Sequence, residues 1–259
     1  MREMKPYIGI TDFEDLRQVE MMRDFLNYRR PNSVEHRLHV GVMMSHKSLY
    51  GIPGKYTDVF PVKESLPGIF SDKKVFNCLH YADYVKQEGI TLDLLNALSH
   101  CGDNLDAIQL DMVWPDRDEI VQVLADSGMD IEVILQIGQK SFEKVWNSSE
   151  GLIEKLSKYD GVITRVLLDQ SMGRGIEMDA SEMIPIIEVI KENFPHFGVV
   201  VAGGLGPEST HVVEPILRRW RDVSVDAQSK LRFSGNLLDS IDWSRAKDYV
   251  RGILSCFNY

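Results

Sequence analysis

Residues 198–208 read Gly-Val-Val-Val-Ala-Gly-Gly-Leu-Gly-Pro-Glu, and this stretch decides the fold. Val199–Ala202 is an uncharged, largely β-branched run, as expected of a strand that a parallel sheet buries on both faces. The pair Gly203–Gly204 has no Cβ atoms, so its backbone can approach a ligand closely and adopt positive φ angles. Pro207–Glu208 favours the start of a helix. The stretch predicts a strand, a turn and a helix, a junction whose free N–H groups suit a phosphate. A tight turn without a ligand fits the same residues equally well.

Length and composition limit the function classes. At 259 residues the chain is long enough for one large α/β barrel or two ordinary domains. It is 44% hydrophobic and 26% charged, which is typical of globular proteins. No apolar run approaches the roughly 18 residues of a membrane span, so we expect no membrane partner. The formal net charge of −10 argues against a nucleic-acid partner. It allows a phosphate ligand, because backbone N–H groups bind phosphate without net positive charge.

The cysteines and the first residues indicate a compartment. Cys78, Cys101 and Cys256 are widely spaced and match neither a disulfide framework nor a CxxC metal pattern. The charged segment Met1–Pro6 lacks the apolar core of a signal peptide. We therefore expect a cytoplasmic protein, and we expect no cofactor and no resident metal.

Strand and helix patterns alternate along the whole chain. Eight apolar runs are typical of strands: Tyr7–Ile10, Leu38–Met44, Val75–Leu79, Ala107–Leu110, Ile131–Ile137, Val162–Leu168, Val199–Ala202 and Val223–Ala227. Helical periodicity lies between several of them, at Leu16–Leu26, Ile120–Leu124, Leu152–Leu156, Met183–Ile190 and Val212–Trp220, and again from Asp242 to Leu254. This order predicts a single (β/α)8 TIM barrel domain of the phosphate-binding type over residues 1–259. An open, doubly wound sheet is the alternative. The long segment Ser45–Ser71 is expected to be a lid or binding loop, or a partly disordered one.

In a barrel, function lies at the carboxyl ends of the strands. Polar residues follow several of the predicted strands: Thr11, Asp12, Ser45, His46, His80, Asp83, Asp111, Gln136, Asp169, Asp226, Gln228, Ser229 and Lys230. Aspartates at such positions often cap the next helix, and we expect this of Asp12. Asp169 differs, because the flexible Gly173–Gly175 turn follows it and can wrap a phosphate. Partial burial would raise the pKa of Asp169 toward a value useful for proton transfer.

Several segments together resemble one known family. They are Gly9-Ile10-Thr11 with Glu14-Asp15, Ile108-Gln109-Leu110, Leu167-Leu168-Asp169 with Gly173-Arg174-Gly175, Ala202-Gly203-Gly204-Leu205 with Pro207-Glu208, and Val225-Asp226 with Ser229. In this order the chain resembles phosphoribosylanthranilate isomerase, a phosphate-binding TIM barrel of tryptophan biosynthesis and an isomerase of the intramolecular oxidoreductase type. The resemblance spans nearly the whole chain, and the Ala-Gly-Gly-Leu-x-Pro-Glu motif is its sharpest part.

The resemblance implies a site. The phosphate would lie among the loops after strands six, seven and eight, held by the backbones of Gly173, Gly175, Gly203, Gly204 and Ser229. Asp169 matches the general acid of the family. Apart from the resemblance, we expect Lys230 or Arg174 to add positive charge at the phosphate.

The sequence also departs from the family. The cysteine that serves as general base is replaced by Ile8, and the family histidine after Gln-Leu is replaced by Asp111. The arginine expected after the second strand is replaced near Ser48–Tyr50, and the Ser-Gly-Val-Glu after the eighth is Ser229–Arg232. Loss of the base typically costs about 10²–10⁴ in rate. We therefore expect little turnover of phosphoribosylanthranilate, and we take Asp111 as the replacement base.

Three hypotheses follow for the function. The first is isomerisation of a phosphorylated small molecule by acid/base proton transfer, with Asp169 and Asp111 as the catalytic pair. The second is a metal-dependent sugar-phosphate epimerase or aldolase, with ligands among His80, Asp111, Asp169 and Asp226. The third is a non-catalytic barrel that binds a phosphorylated ligand. The sequence does not indicate the oligomeric state.

Overall fold

The computed structural model describes residues 4–57, 59–86, 88–145, 148–169 and 178–257. Eight parallel strands form one closed barrel in the order of the chain, and β1 pairs with β8 to close it. The strands are β1 (Tyr7–Thr11), β2 (Arg37–Ser45), β3 (Phe76–Ala82), β4 (Ala107–Asp111), β5 (Glu132–Gly138), β6 (Arg165–Asp169), β7 (Gly198–Ala202) and β8 (Ser224–Ala227). The prediction of a TIM barrel is confirmed, and Val199–Ala202 lies in the seventh strand as expected.

Helices connect the strands on the outside of the barrel. They are α1 (Leu16–Arg29), α2 (His46–Leu49), α3 (Leu66–Ile69), α4 (Thr91–Ser99), α5 (Arg117–Ser127), α6 (Gln139–Lys144), α7 (Ser149–Ser157), α8 (Ala180–Asn193), α9 (Glu214–Arg219) and α10 (Trp243–Ser255). Short 3-10 helices lie at Lys63–Ser65, Thr210–Val212 and Ser229–Leu231. None of the helices in the described part of the chain is long and apolar enough to cross a membrane.

Apolar side chains form two separate clusters. The larger one packs the outer face of the strands against the helices and includes Ile8 and Met22. The smaller one fills the barrel interior with strand residues alone: Tyr7, Phe76, Cys78, Ala107, Ile134, Leu167, Val200 and Ala202. Alternation along each strand, with successive side chains on opposite faces, produces this division. Cys78, Cys101 and Cys256 are free and buried.

The structure corrects two expected helix starts. Asp15, not Asp12, caps α1, because its side chain accepts a hydrogen bond from the Gln18 amide. The helix expected at Pro207 begins only at Glu214, as α9. The hydroxyl of Ser209 accepts from the Gly206 amide at 2.9 Å and donates to the Gly204 carbonyl at 2.7 Å, which closes a turn where the helix was expected.

Candidate functional site

A cavity of about 690 Å³ opens at the carboxyl ends of the strands. We call it the mouth cavity. Every strand contributes to its wall, directly or through the loop that follows it, as Thr11, Met43, His80, Asp111, Gln136, Asp169, Ala202 and Asp226 illustrate. Parallel strands bring their carboxyl ends to one face of the barrel, so residues far apart in sequence share this space.

Asp111 and Asp169, the predicted catalytic pair, both line the mouth cavity. They end β4 and β6, and β5 lies between them. The hydroxyl of Tyr84 donates a hydrogen bond to Asp111 Oδ2. Burial raises the pKa of Asp111 to about 7, repulsion from Asp169 adds to the increase, and the Tyr84 hydrogen bond opposes it. Asp111 therefore exchanges its proton near neutral pH.

The predicted phosphate loops lie partly within the described residues. Gly203, Gly204 and Ser229 line the mouth cavity, and the φ angles of the two glycines are 116° and 65°. Such angles strain any residue with a Cβ, which explains the glycine pair. Lys230 is exposed and is not among the residues that line the cavity. Gly173, Arg174 and Gly175 lie outside the described residues, so their role stays a prediction.

Asp12 has a different place from the one expected. It lines the mouth cavity and has a φ angle of 87°, which is uncommon for a residue other than glycine. Its Oδ2 atom accepts from Arg232 Nη2 at 2.5 Å and from Gln228 Nε2 at 3.0 Å. Burial raises the pKa of Asp12, and the positive charge and hydrogen bond of Arg232 partly offset this rise. This ion pair ties the loop after β1 to the loop after β8.

Polar side chains continue below the rim into the barrel. Thr11 donates to Asp226 Oδ2 at 3.1 Å, and burial raises the pKa of Asp226 to about 7. Gln109 Nε2 donates to Gln136 Oε1 at 2.8 Å. Each pair joins inward side chains of neighbouring strands that are offset by two residues from the register, in which Gly9 pairs with Asp226 and Gln109 with Ile134.

Lysines surround the mouth cavity. Lys47, Lys55, Lys86 and Lys140 all line it. Lys47 and Lys55 come from the long segment Ser45–Ser71, which also places Tyr56 and Phe60 on the wall. Lysine side chains are cations that attract phosphate. Lys86 and Lys140 were not predicted, since no local motif distinguishes a lysine that faces a site from one that faces solvent.

Ile8, the residue that the resemblance aligns with the base of phosphoribosylanthranilate isomerase, is not among the residues that line the mouth cavity. Ile8 is buried in the outer cluster against the helices. Gly9 faces the interior instead, where a Cβ atom would collide with Asp226 Oδ1. No proton acceptor therefore occupies the Ile8 position.

The metal-dependent hypothesis grouped His80 with Asp111, Asp169 and Asp226, but in the structure His80 lies beside other potential ligands. Its potential ligand atom lies near those of His39 and Cys78, all three within 4.8 Å of one another. Burial lowers the pKa of His80 to about 3 and that of His39 well below its usual value, so both are neutral imidazoles. Among the described residues, the groups of three or more potential ligands contain neither Asp111 nor Asp169.

The chain is similar to known proteins in fold alone. Its sequence matches no model of a known protein family and no curated protein. Its structure is similar to KGPDC from Streptococcus mutans, with 13% identity, a TM-score of 0.56 and coverage of 98% of this chain and 100% of the other. Triosephosphate isomerase from Bartonella henselae has 8% identity and a TM-score of 0.53, with coverage of 99% of this chain and 100% of the other. Phosphonopyruvate hydrolase has 10% identity and a TM-score of 0.54, with coverage of 86% of this chain and 76% of the other. These names do not include a phosphoribosylanthranilate isomerase, so that narrower resemblance stays a prediction. The likeness agrees with the closed eight-stranded parallel barrel, and the chain has the TIM-barrel fold.

Proposed function

We propose that this barrel is an enzyme that binds a phosphorylated small molecule in the mouth cavity and isomerises it by proton transfer. Asp111 accepts a proton from the substrate as general base, and Asp169 donates one as general acid. The observation that carries the proposal is the shared position of the two carboxylates on the cavity wall, together with the pKa of about 7 for Asp111. A proton carrier is most effective when its pKa is close to the working pH.

Three features support a phosphorylated ligand. The Gly203–Gly204 backbone and Ser229 line the cavity after the neighbouring strands β7 and β8, and four lysines that can contact an anion also line it. Two of the similar structures bear names that contain a phosphorylated or phosphonylated compound, triosephosphate isomerase and phosphonopyruvate hydrolase. Gly173 and Gly175 lie outside the described residues and stay part of the phosphate site as a prediction.

The substrate we propose is a sugar phosphate other than phosphoribosylanthranilate. The position that carries the base in that family is Ile8, which packs against the helices. Asp111 lies three strands away on β4, so it would meet a different atom of a bound substrate.

Proton transfer to and from carbon is tested by hydrogen exchange with solvent. A panel of aldose and ketose phosphates is incubated with the protein in D2O, with phosphoribosylanthranilate included, and deuterium incorporation is followed by NMR. We expect exchange into at least one sugar phosphate and little turnover of phosphoribosylanthranilate. Asp111→Asn and Asp169→Asn should each slow the exchange by about 10²–10⁴.

The matched control is Asp126→Asn, an exposed aspartate on α5 that does not line the cavity. It should exchange at the wild-type rate. Full exchange in both the Asp111→Asn and Asp169→Asn variants would refute the assigned pair. Binding of sugar phosphates with no exchange in any member of the panel would favour the non-catalytic barrel.

A further inference from the structure

Three side chains with metal-binding atoms meet inside the barrel, below the mouth cavity. His39 lies on β2, and Cys78 and His80 lie on β3, where the alternation of the strand turns both inward. All three are buried. One ligand atom from each lies within 4.8 Å of the other two.

The two imidazoles already have the separation that a metal requires. His39 Nε2 lies 3.3 Å from His80 Nε2. Two nitrogens that each bind one tetrahedral zinc ion at about 2.0–2.1 Å lie about 3.3–3.4 Å apart. An ion between the rings would therefore need no movement of either nitrogen, while the sulfur of Cys78 would move inward by up to about an ångström.

The ring of His39 is held in the orientation of a ligand. It stacks on Tyr7 with ring centroids 4.4 Å apart and an angle of 17° between the planes. With Nε2 toward His80, its buried Nδ1 atom has no hydrogen-bond partner and lies 3.9 Å from Asp226 Oδ1. Histidines that bind metals commonly direct the other nitrogen at a carboxylate.

Both rings pack closely against the backbone of a glycine on β2. A Cβ atom on Gly41 would lie 3.0 Å from both His80 Nε2 and His39 Cε1, and 2.5 Å from Thr11 Oγ1. His80 also lines the mouth cavity, so an ion can reach it from solvent.

We propose that the barrel interior binds one divalent transition-metal ion of the zinc type, with His39 Nε2, His80 Nε2 and the Cys78 thiolate as ligands. Nitrogen and sulfur ligands favour zinc over magnesium or calcium. As the bonds to the metal form, the thiol proton leaves to solvent, and the proton shared between the two Nε2 atoms moves to Nδ1 of the ring that carried it. Asp226 is a positioning residue that accepts the Nδ1 proton of His39, and its carboxylate and the thiolate together balance the two charges of the ion. This inference is independent of the proposed function.

A second cluster at the rim is a poorer metal site and serves as a control. It consists of His46, Asp83 and Asp93. Asp93 already accepts hydrogen bonds from Lys86 Nζ at 2.8 Å and from the Tyr50 hydroxyl at 2.6 Å. An ion there would compete with the lysine.

Cobalt titration tests the proposal. The full chain is stripped of metal with a chelator and titrated with Co2+, whose near-ultraviolet thiolate charge-transfer band reports a bond to sulfur. We expect one equivalent to produce this band together with the visible bands of tetrahedral cobalt, and Zn2+ to displace it. Cys78→Ser should abolish the thiolate band, whereas Cys101→Ser and Cys256→Ser, at the other buried thiols, should keep it.

Asp226→Asn should weaken cobalt affinity by about 10–100-fold while the thiolate band persists at saturation, as a positioning role requires. His46→Gln should leave both the band and the affinity unchanged. The absence of a thiolate band in the wild-type protein would overturn the proposal, and this outcome does not depend on how any variant folds. A band that survives in Cys78→Ser, or one that His46→Gln removes, would also overturn it.

Discussion

The aspartates around the mouth cavity share one side-chain chemistry but differ in their surroundings. Asp12 forms an ion pair with Arg232 at 2.5 Å, which links the loop after β1 to the loop after β8. Asp226 accepts a hydrogen bond from Thr11 inside the barrel. Asp111 lies on the cavity wall with Asp169 nearby and a neutral hydroxyl as its partner. The surroundings of Asp111 raise its pKa while leaving it accessible, which is what a proton carrier needs.

The pKa of Asp111 predicts a pH-dependent stability. Its folded pKa is about 7, whereas an aspartate in an unfolded chain has a pKa of about 3.9. The folded state binds the proton more tightly, so this group lowers stability as pH rises from about 4 to about 7. Asp111→Asn removes the effect. We therefore compare the free energy of unfolding of Asp111→Asn with that of wild type at each pH. The difference, variant minus wild type, should be larger at pH 8 than at pH 4.5 by roughly 1–3 kcal/mol.

Urea unfolding at the two pH values measures this difference. The exposed Asp126→Asn variant should show no such change between the two values. An Asp111→Asn variant whose stability relative to wild type is the same at both pH values would show that Asp111 has an ordinary pKa.

The glycine turn after β7 predicts a loss of binding on substitution. Gly204→Val places a branched side chain at a φ angle of 65° on the cavity wall. It should weaken binding of glycerol 3-phosphate by at least about tenfold in calorimetry, because it blocks the approach of the phosphate to the backbone. Gly128→Val is the matched control, since Gly128 caps α5 at a φ angle of 63° with open space around it. Unchanged affinity in a folded Gly204→Val protein would refute this part of the site.

At the scale of elements, the apolar runs predicted all eight strands, because a strand buried on both faces leaves a continuous hydrophobic run in the sequence. Helices were harder to predict. No helix was predicted at α4, and the helix start favoured at Pro207 lies seven residues before the first residue of α9, Glu214. The helical periodicity at Val212–Trp220 does cover α9. A proline and an acidic residue favour an earlier helix start at Pro207, but the side chain of Ser209 forms a competing turn there.

The loops after β1 and β8 are locked together by one buried ion pair. Arg232→Met removes the partner of Asp12 and leaves a buried carboxylate that keeps only the Gln228 hydrogen bond. We expect a loss of about 3–5 kcal/mol in the free energy of unfolding near neutral pH. The double variant with Asp12→Asn should recover part of this loss, because it also removes the buried charge. Chemical denaturation of both variants tests this, and a double variant less stable than Arg232→Met alone would contradict it.

At the scale of the whole molecule, the mouth cavity is mixed in charge while the chain as a whole is acidic. The chain carries a formal charge of −10, and four lysines line the cavity beside five aspartates, Asp12, Asp83, Asp111, Asp169 and Asp226. An anionic ligand is repelled at long range, so any local attraction must come from the lysines that face it. Salt screens exposed charges over about 10 Å at 0.1 M, so the attraction should weaken as salt rises.

The double variant Lys47→Gln/Lys140→Gln should therefore weaken binding of inorganic phosphate about three- to tenfold at low salt and flatten its salt dependence. Lys158 is the C-cap residue of α7 and does not line the cavity, so Lys158→Gln should leave the phosphate affinity and its salt dependence unchanged. Titration calorimetry at two salt concentrations measures the effect. Equal salt dependence in wild type and the double variant would mean that these lysines do not face the ligand.

The sequence predicted less of the site than of the fold. Strand-end positions indicated Asp111, Asp169 and Ser229, because parallel strands bring such residues to one face. The His39 contacts were not predicted, since they depend on the register between β2 and β3, which no local pattern encodes. The same limit applies to Asp12, whose partner Arg232 lies 220 residues away.

The most direct test of the proposed function is a crystal structure of the protein with glycerol 3-phosphate at a concentration that saturates binding in solution. We expect the phosphate to lie against the Gly203–Gly204 backbone and Ser229, with the carbon chain directed toward Asp111 and Asp169. A phosphate bound outside the mouth cavity, or a carbon chain directed away from both carboxylates, would contradict it.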